Sequence, residues 1–319
     1  MRLIRCLSDF KGTPKGVALA IGNFDGLHRG HQAVIATMQA KARTLGLMSA
    51  VMIFEPQPLE FFSRNIPARL YSLRDKLIAL DRVGVDLVFC MRFNRDFASM
   101  SAEEYVNDLL YQKLQVRSVT VGTLFNFGKG GKADIDDLKA LGAPLGMEAS
   151  AIAGVNLNGQ RISSTLIRQY LEEGKLKLAA TALGRPYSIS GKVVHGNEIG
   201  RTLGFPTANI NINRRVSPLL GVYAVKVRLD DGQIYRGIAN VGYRPTIGKN
   251  QKQSILEVNL FDFKGDLYGR TLYVYFLQKL RQEIKFSDLG QLAEQLACDR
   301  QQAYEAFKQS KFDTSDVCR

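Results

Sequence analysis

The first half of the chain alternates between two patterns, and that alternation limits its fold more than any other feature. Short apolar runs recur at "VALAIG" (Val17–Gly22), "SAVMIF" (Ser49–Phe54), "DLVFCM" (Asp86–Met91) and "RSVTVG" (Arg117–Gly122), each with the length and content of a buried strand. Helical spacing lies between them. One stretch runs from about His31 to Leu45, and a second, Ser72–Val83, places Leu73, Leu77 and Leu80 on one stripe. A third, "SAEEYVNDLLYQKL", opens at Ser101 with a capping box against Glu104. Strands buried on both faces need covering helices, so the pattern predicts a doubly wound parallel α/β sheet.

The rhythm changes at about Gly184. "GVYAVKVRLDDGQIYRGIANVG" is two alternating strands around Asp231-Gly232, a hairpin signal. "SILEVNLFDFKGDLYGRTLYVYFLQ" reads as a second hairpin turning near Lys264-Gly265. Together they predict a small antiparallel β-barrel or sandwich. A closing helix is expected from about Asp288 to Phe307, with Ser287 as its cap and Leu289, Leu292 and Leu296 on one face. The expected domains are therefore 1–183 and 184–319.

With 45% apolar and 23% charged residues, the composition is that of a globular protein. No apolar run reaches the ~20 residues of a membrane helix, and the N-terminus lacks a signal-peptide core. The expectation is a cytoplasmic protein with no membrane partner. The four cysteines, Cys6, Cys90, Cys298 and Cys318, are scattered without a CxxC pair, which suits reduced thiols better than zinc or disulfides. The net charge of +13 favours anionic ligands, nucleic acid among them. No helix-turn-helix, zinc-finger or aromatic RNA-binding signature accompanies the charge, so no nucleic-acid partner is expected. Oligomeric state has no readable signal.

Two of the three histidines stand close together in "AIGNFDGLHRGHQAVI" (Ala20–Ile35). A strand, a tight glycine turn and a helix make the anion-binding geometry of α/β sheets, where free N–H groups and the helix dipole face a phosphate. Gly22, Gly26 and Gly30 allow close backbone approach, although their spacing is not GxGxxG. His28 and His31 can both face such a phosphate and donate to its oxygens, or they can be capping residues. The H-x-G-H spacing resembles the nucleotidyltransferase superfamily, and a "KMSKS"-like loop, which would point to an aminoacyl-tRNA synthetase, is absent. In "RISSTLIRQYL" (Arg161–Leu171), Ser163, Ser164 and Thr165 stand at a helix entrance with Arg168 one turn in. Capping explains one hydroxyl; a pyrophosphate grip explains all three and the arginine.

"HGNEIGRTLGFPTANI" (His195–Ile210) carries Gly196, Gly200 and Gly204, then Thr207 and Asn209. This is either a decorated turn or a phosphate loop whose hydroxyl and amide oxygens suit Mg²⁺. In "ILEVNLF", alternation puts Leu256, Val258 and Leu260 on one face and Glu257 and Asn259 on the other. Such a strand carboxylate is either solvent-facing or a general base for attack on a γ-phosphate.

Taken together, "GNFDGLHRGH", "FEPQPLEFF", "RISSTLIR", "GRPYSISGKVVHG", "GRTLGFPTAN", "GIANVGYRPTI" and "LEVNLFDF" resemble, in order and spacing, the bacterial bifunctional riboflavin kinase/FAD synthetase family over nearly the whole chain. The resemblance implies an N-terminal nucleotidyltransferase domain and a C-terminal kinase barrel. The barrel would phosphorylate riboflavin with ATP, and the first domain would adenylylate FMN to FAD, releasing pyrophosphate. It implies Glu257 as the kinase base and Thr207 and Asn209 as Mg²⁺ ligands, with Gly200 and Gly204 in the nucleotide loop. It implies His28, His31 and Arg168 as catalytic groups of adenylyl transfer, and Gly22, Asn23, Phe24, Gly30, Ser164 and Thr165 as nucleotide-binding. Phe62, Tyr105 and Phe127 fall where the family places flavin-pocket aromatics; core packing is the competing reading.

One position departs from the family. The usual Val-Gly-x-Asp/Asn-Phe-x-Phe-Gly reads "VGTLFNFG", so Leu124 replaces a polar residue. Losing a hydrogen bond there would cost ~1–3 kcal/mol. That defines an alternative, a riboflavin kinase with a weakened or purely binding N-terminal domain. Asn126 would share the face of Leu124 only if the segment stayed extended.

Overall fold

The structure, a computed structural model, describes residues 1–63, 65–195, 205–212, 216–245 and 252–309. The contacts group into two compact units, Met1–Pro67 with Lys76–Ser163, and Ala68–Asp75 with Ser164 onward.

The first unit is built on six parallel strands: β1 (Arg2–Ile4), β2 (Val17–Ile21), β3 (Met48–Glu55), β4 (Leu87–Arg92), β5 (Val116–Gly122) and β6 (Glu148–Ile152). Their order is β1-β4-β3-β2-β5-β6. The four apolar runs supply β2 to β5, and every residue of β2 is buried. The chain moves outward from β2 to β3 and β4, then returns to the other side of β2 for β5 and β6. The reversal falls between β2 and β5, where their carboxyl ends leave a crevice. Helix α1 (Arg29–Leu45) follows β2 and buries Val34, Ile35, Met38 and Ala42. Gly46, with φ of 64°, terminates it. The short helix α2 (Pro58–Phe62) follows β3.

The expected capping box at Ser101 is formed: Ser101 N–H donates to Glu104 Oε2 at 2.8 Å, and Glu104 N–H to Ser101 Oγ at 3.1 Å. The helix behind it differs from a simple α-helix, because Glu104–Lys113 is wound as a π-helix. Apolar spacing over so short a stretch does not separate the two windings. The wider turn buries Tyr105, Val106, Leu109 and Leu110 together against the sheet.

Among later helices, α3 spans Leu73–Arg82, α4 Arg95–Ser99, α5 Ile135–Gly142, α6 Ser164–Glu172 and α7 Leu176–Leu183. A small hairpin, β7 (Asn156–Leu157) and β8 (Gln160–Arg161), precedes α6. The second unit holds a closed barrel of β9 (Ser188–Val194), β10 (Ala208–Asn211), β11 (Gly221–Arg228), β12 (Ile234–Pro245), β13 (Lys252–Leu260) and β14 (Thr271–Arg281). The strands run in the order β10-β13-β12-β11-β14-β9, and closure leaves no open edge. The hairpin at Asp231-Gly232 forms, with Arg228 opposite Ile234 and Gly232 at φ of 90°.

The expected second hairpin does not form. β13 pairs with β10 and β12, while β14 pairs with β11 and β9. Every barrel strand has only two edges, and closure commits both edges of each, so the turn residues near Gly265 serve a longer connection instead. Helix α8 (Leu289–Gln309) covers one outer face of the barrel. Its cap is Asp288 rather than Ser287: Asp288 Oδ1 accepts from Gln291 N–H at 2.9 Å, and Ser287 Oγ donates to Asp288 Oδ2 at 3.0 Å. A carboxylate is the better partner for exposed helix N–H groups, which explains the choice. No described helix is long and apolar enough to cross a membrane.

Candidate active sites

The turn after β2 lies at the sheet's reversal point, and its backbone is tightly coiled. Phe24, Gly26 and Leu27 have φ of 46°, 79° and 42°, and Leu27 N–H donates to the Phe24 carbonyl at 3.2 Å. Two non-glycine residues in the left-handed region within one turn store backbone strain. Buried packing holds the turn: Phe24 is fully enclosed, and its ring meets His31 edge-on at 5.2 Å. Gln32 Nε2 adds a bond to the Leu27 carbonyl at 2.9 Å.

His28 is the N-cap of α1 and is 5% exposed. Its Nδ1 accepts from His31 N–H at 3.3 Å, and the two rings stack at 3.6 Å with planes 17° apart. An Nδ1 that accepts carries no proton, so a neutral His28 ring bears its proton on Nε2 as a donor. Capping thus uses the Nδ1 edge of the ring, and the Nε2 edge is its donor. Gly30 makes the stack possible, because a Cβ there would press on the His28 ring at 3.2 Å. No acidic residue occupies the first turn of α1, so nothing there offsets the helix's positive end. Gly22 and Asn23 complete the turn. Gly22 N–H donates to the Met52 carbonyl at 3.2 Å, and the Asn23 amide oxygen is buried with no hydrogen-bond partner among the described residues.

In the same unit, Phe62, Tyr105 and Phe127 line one cavity of about 430 Å³. Phe54, Phe93, Phe97 and Phe125 also line it, with the glycine-rich turn at Gly128–Gly131 forming one wall. The three expected residues are not alike. Tyr105 is 3% exposed, whereas Phe62 is 66% exposed at the rim. The Tyr105 hydroxyl donates to Met52 Sδ at 3.5 Å, and burial pushes its pKa up, so it stays neutral. Asn126 brings the lining its one amide side chain, a residue that sequence reasoning left without a role. Leu124 is 75% exposed and does not line the cavity. The segment does not stay extended beyond β5, because Phe125 N–H turns back to the Gly122 carbonyl at 3.0 Å. Leu124 and Asn126 therefore need not share a face.

In the second unit, Ser164, Thr165 and Arg168 occupy the first turns of α6, with Thr165 exposed and Ser164 half-buried. Arg168 Nε donates to the Ala68 carbonyl at 2.5 Å, which fixes the direction of its side chain.

The barrel's outer face carries the other cluster. Alternation along β13 buries Leu256 and Val258 and leaves Glu257 and Asn259 half-buried on the opposite face. That opposite face is the one α8 covers, since Val222, Ala224 and Ile238 on it pack against Ala303, Ala306 and Phe307. Register then aligns a row across neighbouring strands. Asn209 on β10 stands opposite Glu257, and Glu257 stands opposite Asn240 on β12. Opposite residues share a face, so an amide flanks the carboxylate on either side. Thr207, Glu257, Asn240 and Asn259 line a cavity of about 260 Å³ whose remaining wall is mainly apolar, including Val222, Ile238, Phe286, Leu292 and Leu296. Arg281 secures α8 over it with a two-pronged pair to the buried Asp299, at 2.8 and 2.7 Å. Gly200 and Gly204 lie outside the described residues.

Sequence reasoning singled out Glu257, Thr207 and Asn209 but not Asn240, which the register places in the same row as Glu257 and Asn209. Its signal was a lone amide in "GIANVG", a strand otherwise of small and aliphatic residues. The described residues include no cluster of three or more His, Cys, Asp or Glu suited to a metal. The oxygen donors present, a hydroxyl and amides beside one carboxylate, fit a hard cation that takes few protein ligands and completes its shell with phosphate and water.

Residues 11–166 match the FAD synthetase family and residues 183–307 the riboflavin kinase family. The chain is 45% identical over 300 residues to a bifunctional riboflavin kinase/FMN adenylyltransferase of Haemophilus influenzae, covering 94% of this chain and 97% of that one. It is 45% identical over 313 residues to the protein of the same name from Escherichia coli K12, covering 98% and 99%. The chain belongs to the bifunctional riboflavin kinase/FMN adenylyltransferase family. Both catalytic domains of that family are present, in the order kinase after synthetase. A crystal structure described as a macrolide-efflux protein from Streptococcus pneumoniae superposes with a TM-score of 0.80 at 34% identity, covering 94% of this chain and 97% of that one. That likeness is one of fold, and the activity in its name stays with that protein.

Proposed function

We propose that this enzyme makes FMN from riboflavin and ATP in its barrel, and FAD from FMN and ATP in its α/β domain, using a separate polar cluster for each step. The observation that carries the assignment is that each compact unit presents its own polar cluster and its own cavity: stacked histidines at the turn after β2 with an aromatic cavity in the same unit, and Glu257 between two amides on the barrel face, lining the second cavity.

The two chemistries need different groups. A ribityl hydroxyl is a weak nucleophile at neutral pH, so Glu257 accepts its proton as the oxygen attacks the γ-phosphorus and the bond to the bridging oxygen breaks, releasing ADP. FMN arrives with an ionised phosphate and needs no base. His28, His31 and the amino end of α1 hold the nucleotide's α-phosphate and donate to oxygens that gain charge. Ser164, Thr165 and Arg168 are assigned to the nucleotide phosphates of that reaction, with Gly22, Asn23, Phe24 and Gly30 shaping the nucleotide turn. The aromatic cavity of Phe62, Tyr105 and Phe127 takes the flavin ring of FMN. Thr207 and Asn209 would hold Mg²⁺, which would neutralise phosphate charge when bound. Gly200 and Gly204 belong to the nucleotide loop. The functional domains run 1–183 and 184–319. Free thiols at Cys6, Cys90 and Cys298 support a reducing, cytoplasmic setting.

Leu124 is exposed and does not line the aromatic cavity, which favours the two-step reading over a weakened first domain. Purified enzyme with ATP, Mg²⁺ and riboflavin, resolved by product over time, should accumulate FMN and then FAD. FMN alone would leave only the kinase.

A further inference from the structure

The Asn240 side chain has a hydrogen-bonding asymmetry that no described residue resolves. Its Nδ2 lies 3.4 Å from Glu283 Oε1. Its Oδ1 is buried with no hydrogen-bond partner among the described residues. A buried carbonyl oxygen without a donor is costly, so a native site that keeps one has a donor to come.

The orientation of the amide is fixed by its neighbour. Glu283 approaches β12 over Gly242, where a Cβ would collide with its carboxylate. A carboxylate only accepts, so the NH₂ end of Asn240 must face it and the carbonyl end is the acceptor left over. Both residues line the same cavity as Glu257, and Asn240 stands directly opposite Glu257 in the ladder. The cavity therefore offers two acceptors side by side on neighbouring strands, next to an apolar wall. A substrate matching that wall has a flat apolar body and a chain bearing more than one hydroxyl.

Resting on the kinase assignment above, we infer that Asn240 Oδ1 accepts a hydrogen bond from a second hydroxyl of the ribityl chain, and so sets which hydroxyl reaches Glu257. Glu257 alone would accept from any hydroxyl that came near. Two acceptors at fixed separation select one placement of a polyol.

The test compares Asn240→Ala and Asn240→Ser with the parent enzyme, using riboflavin and a flavin whose side chain is 5-hydroxypentyl, keeping only the terminal hydroxyl. Asn240→Ala should raise KM for riboflavin about tenfold, the loss of one hydrogen bond. KM for ATP and FAD formation from supplied FMN should not change. Asn240→Ser, which keeps an oxygen acceptor, should recover part of the loss. With the hydroxypentyl flavin, the parent and Asn240→Ala should have equal KM. An unchanged KM for riboflavin in Asn240→Ala would overturn the inference. So would an equal penalty on both flavins, which would mark a packing role. A Glu257→Gln variant run in parallel separates the failures, because if it makes FMN at the parent rate, the kinase assignment itself has failed.

Discussion

The crevice after β2 and the outer face of the barrel, the two proposed phosphoryl-handling centres, are built from opposite resources. In the crevice, topology does most of the work. A parallel sheet that reverses direction leaves room at strand ends, and a helix entering there presents N–H groups and a positive dipole. Side chains add to this: His28 caps the helix with Nδ1, and His31 stacks on it at 3.6 Å. A closed antiparallel barrel has no strand-end crevice of that kind. Its site comes from strand alternation and register, which set Asn209, Glu257 and Asn240 in one row beneath α8. The difference matches the nucleophiles. On the proposed assignment the crevice would stabilise charge, whereas the barrel would place one carboxylate where a hydroxyl must lose a proton.

The largest expected effect breaks the comparison on the barrel side. Glu257→Gln should lower FMN formation by roughly 10²–10⁴-fold, the scale of a lost general base. FAD formation from supplied FMN should match the parent, measured by chromatography of both products. On the other side, His31→Ala should cut FAD formation by about 10²–10³-fold, as for a lost transition-state donor. Its kinase rate should be untouched.

A smaller effect sharpens the flavin assignment. Phe62 sits at the cavity rim, mostly in water, so Phe62→Ala should leave the fold intact. An aromatic contact of ~0.5–1.5 kcal/mol corresponds to a rise of about two- to tenfold in KM for FMN. Steady-state kinetics in the adenylyl direction would show it, with KM for riboflavin in the kinase reaction unchanged.

Much of this fold was legible in the sequence because buried strands and capping boxes are local signals. The apolar runs mark β2 to β5, and Ser101 with Glu104 marks a helix start. Closure of the barrel was not legible. Each strand's second partner is a long-range choice, so β13 and β14 read as a hairpin although β14 joins β11 and β9. Among site residues, His28, His31 and Glu257 stood out because a charged or titratable group in a turn or strand demands a reason. Asn240 and Asn126 did not, since a single amide carries meaning only when its register partner or cavity is known. Leu124 shows the reverse case: a departure conspicuous in sequence that points into solvent.

Stability contributes a weaker contrast. The Gln291 N–H bond to Asp288, with Ser287 and the Gly290 N–H also donating, holds the Asp288 carboxyl below its usual range. A depressed carboxylate stabilises the folded state above its unfolded pKa, and that contribution is lost as pH falls through the folded value. Asp288→Ala should therefore lower the thermal midpoint of the protein at neutral pH. The gap from the parent should close on acidification below the carboxylate range, followed by circular dichroism. Smallest of all, Leu124→Asn should leave the fold intact, as exposed surface substitutions do, and leave FAD formation near the parent rate, since Leu124 lines no part of the aromatic cavity. A clear gain in rate would restore the weakened-synthetase reading.

The most direct test of two independent centres is complementation. Glu257→Gln and His31→Ala proteins are mixed in equal amounts with riboflavin, ATP and Mg²⁺, and FAD is followed by chromatography. The two-centre account predicts no FAD from the first protein alone, FMN with almost no FAD from the second, and FAD from the mixture. A mixture that yields no FAD while FMN accumulates freely would contradict it.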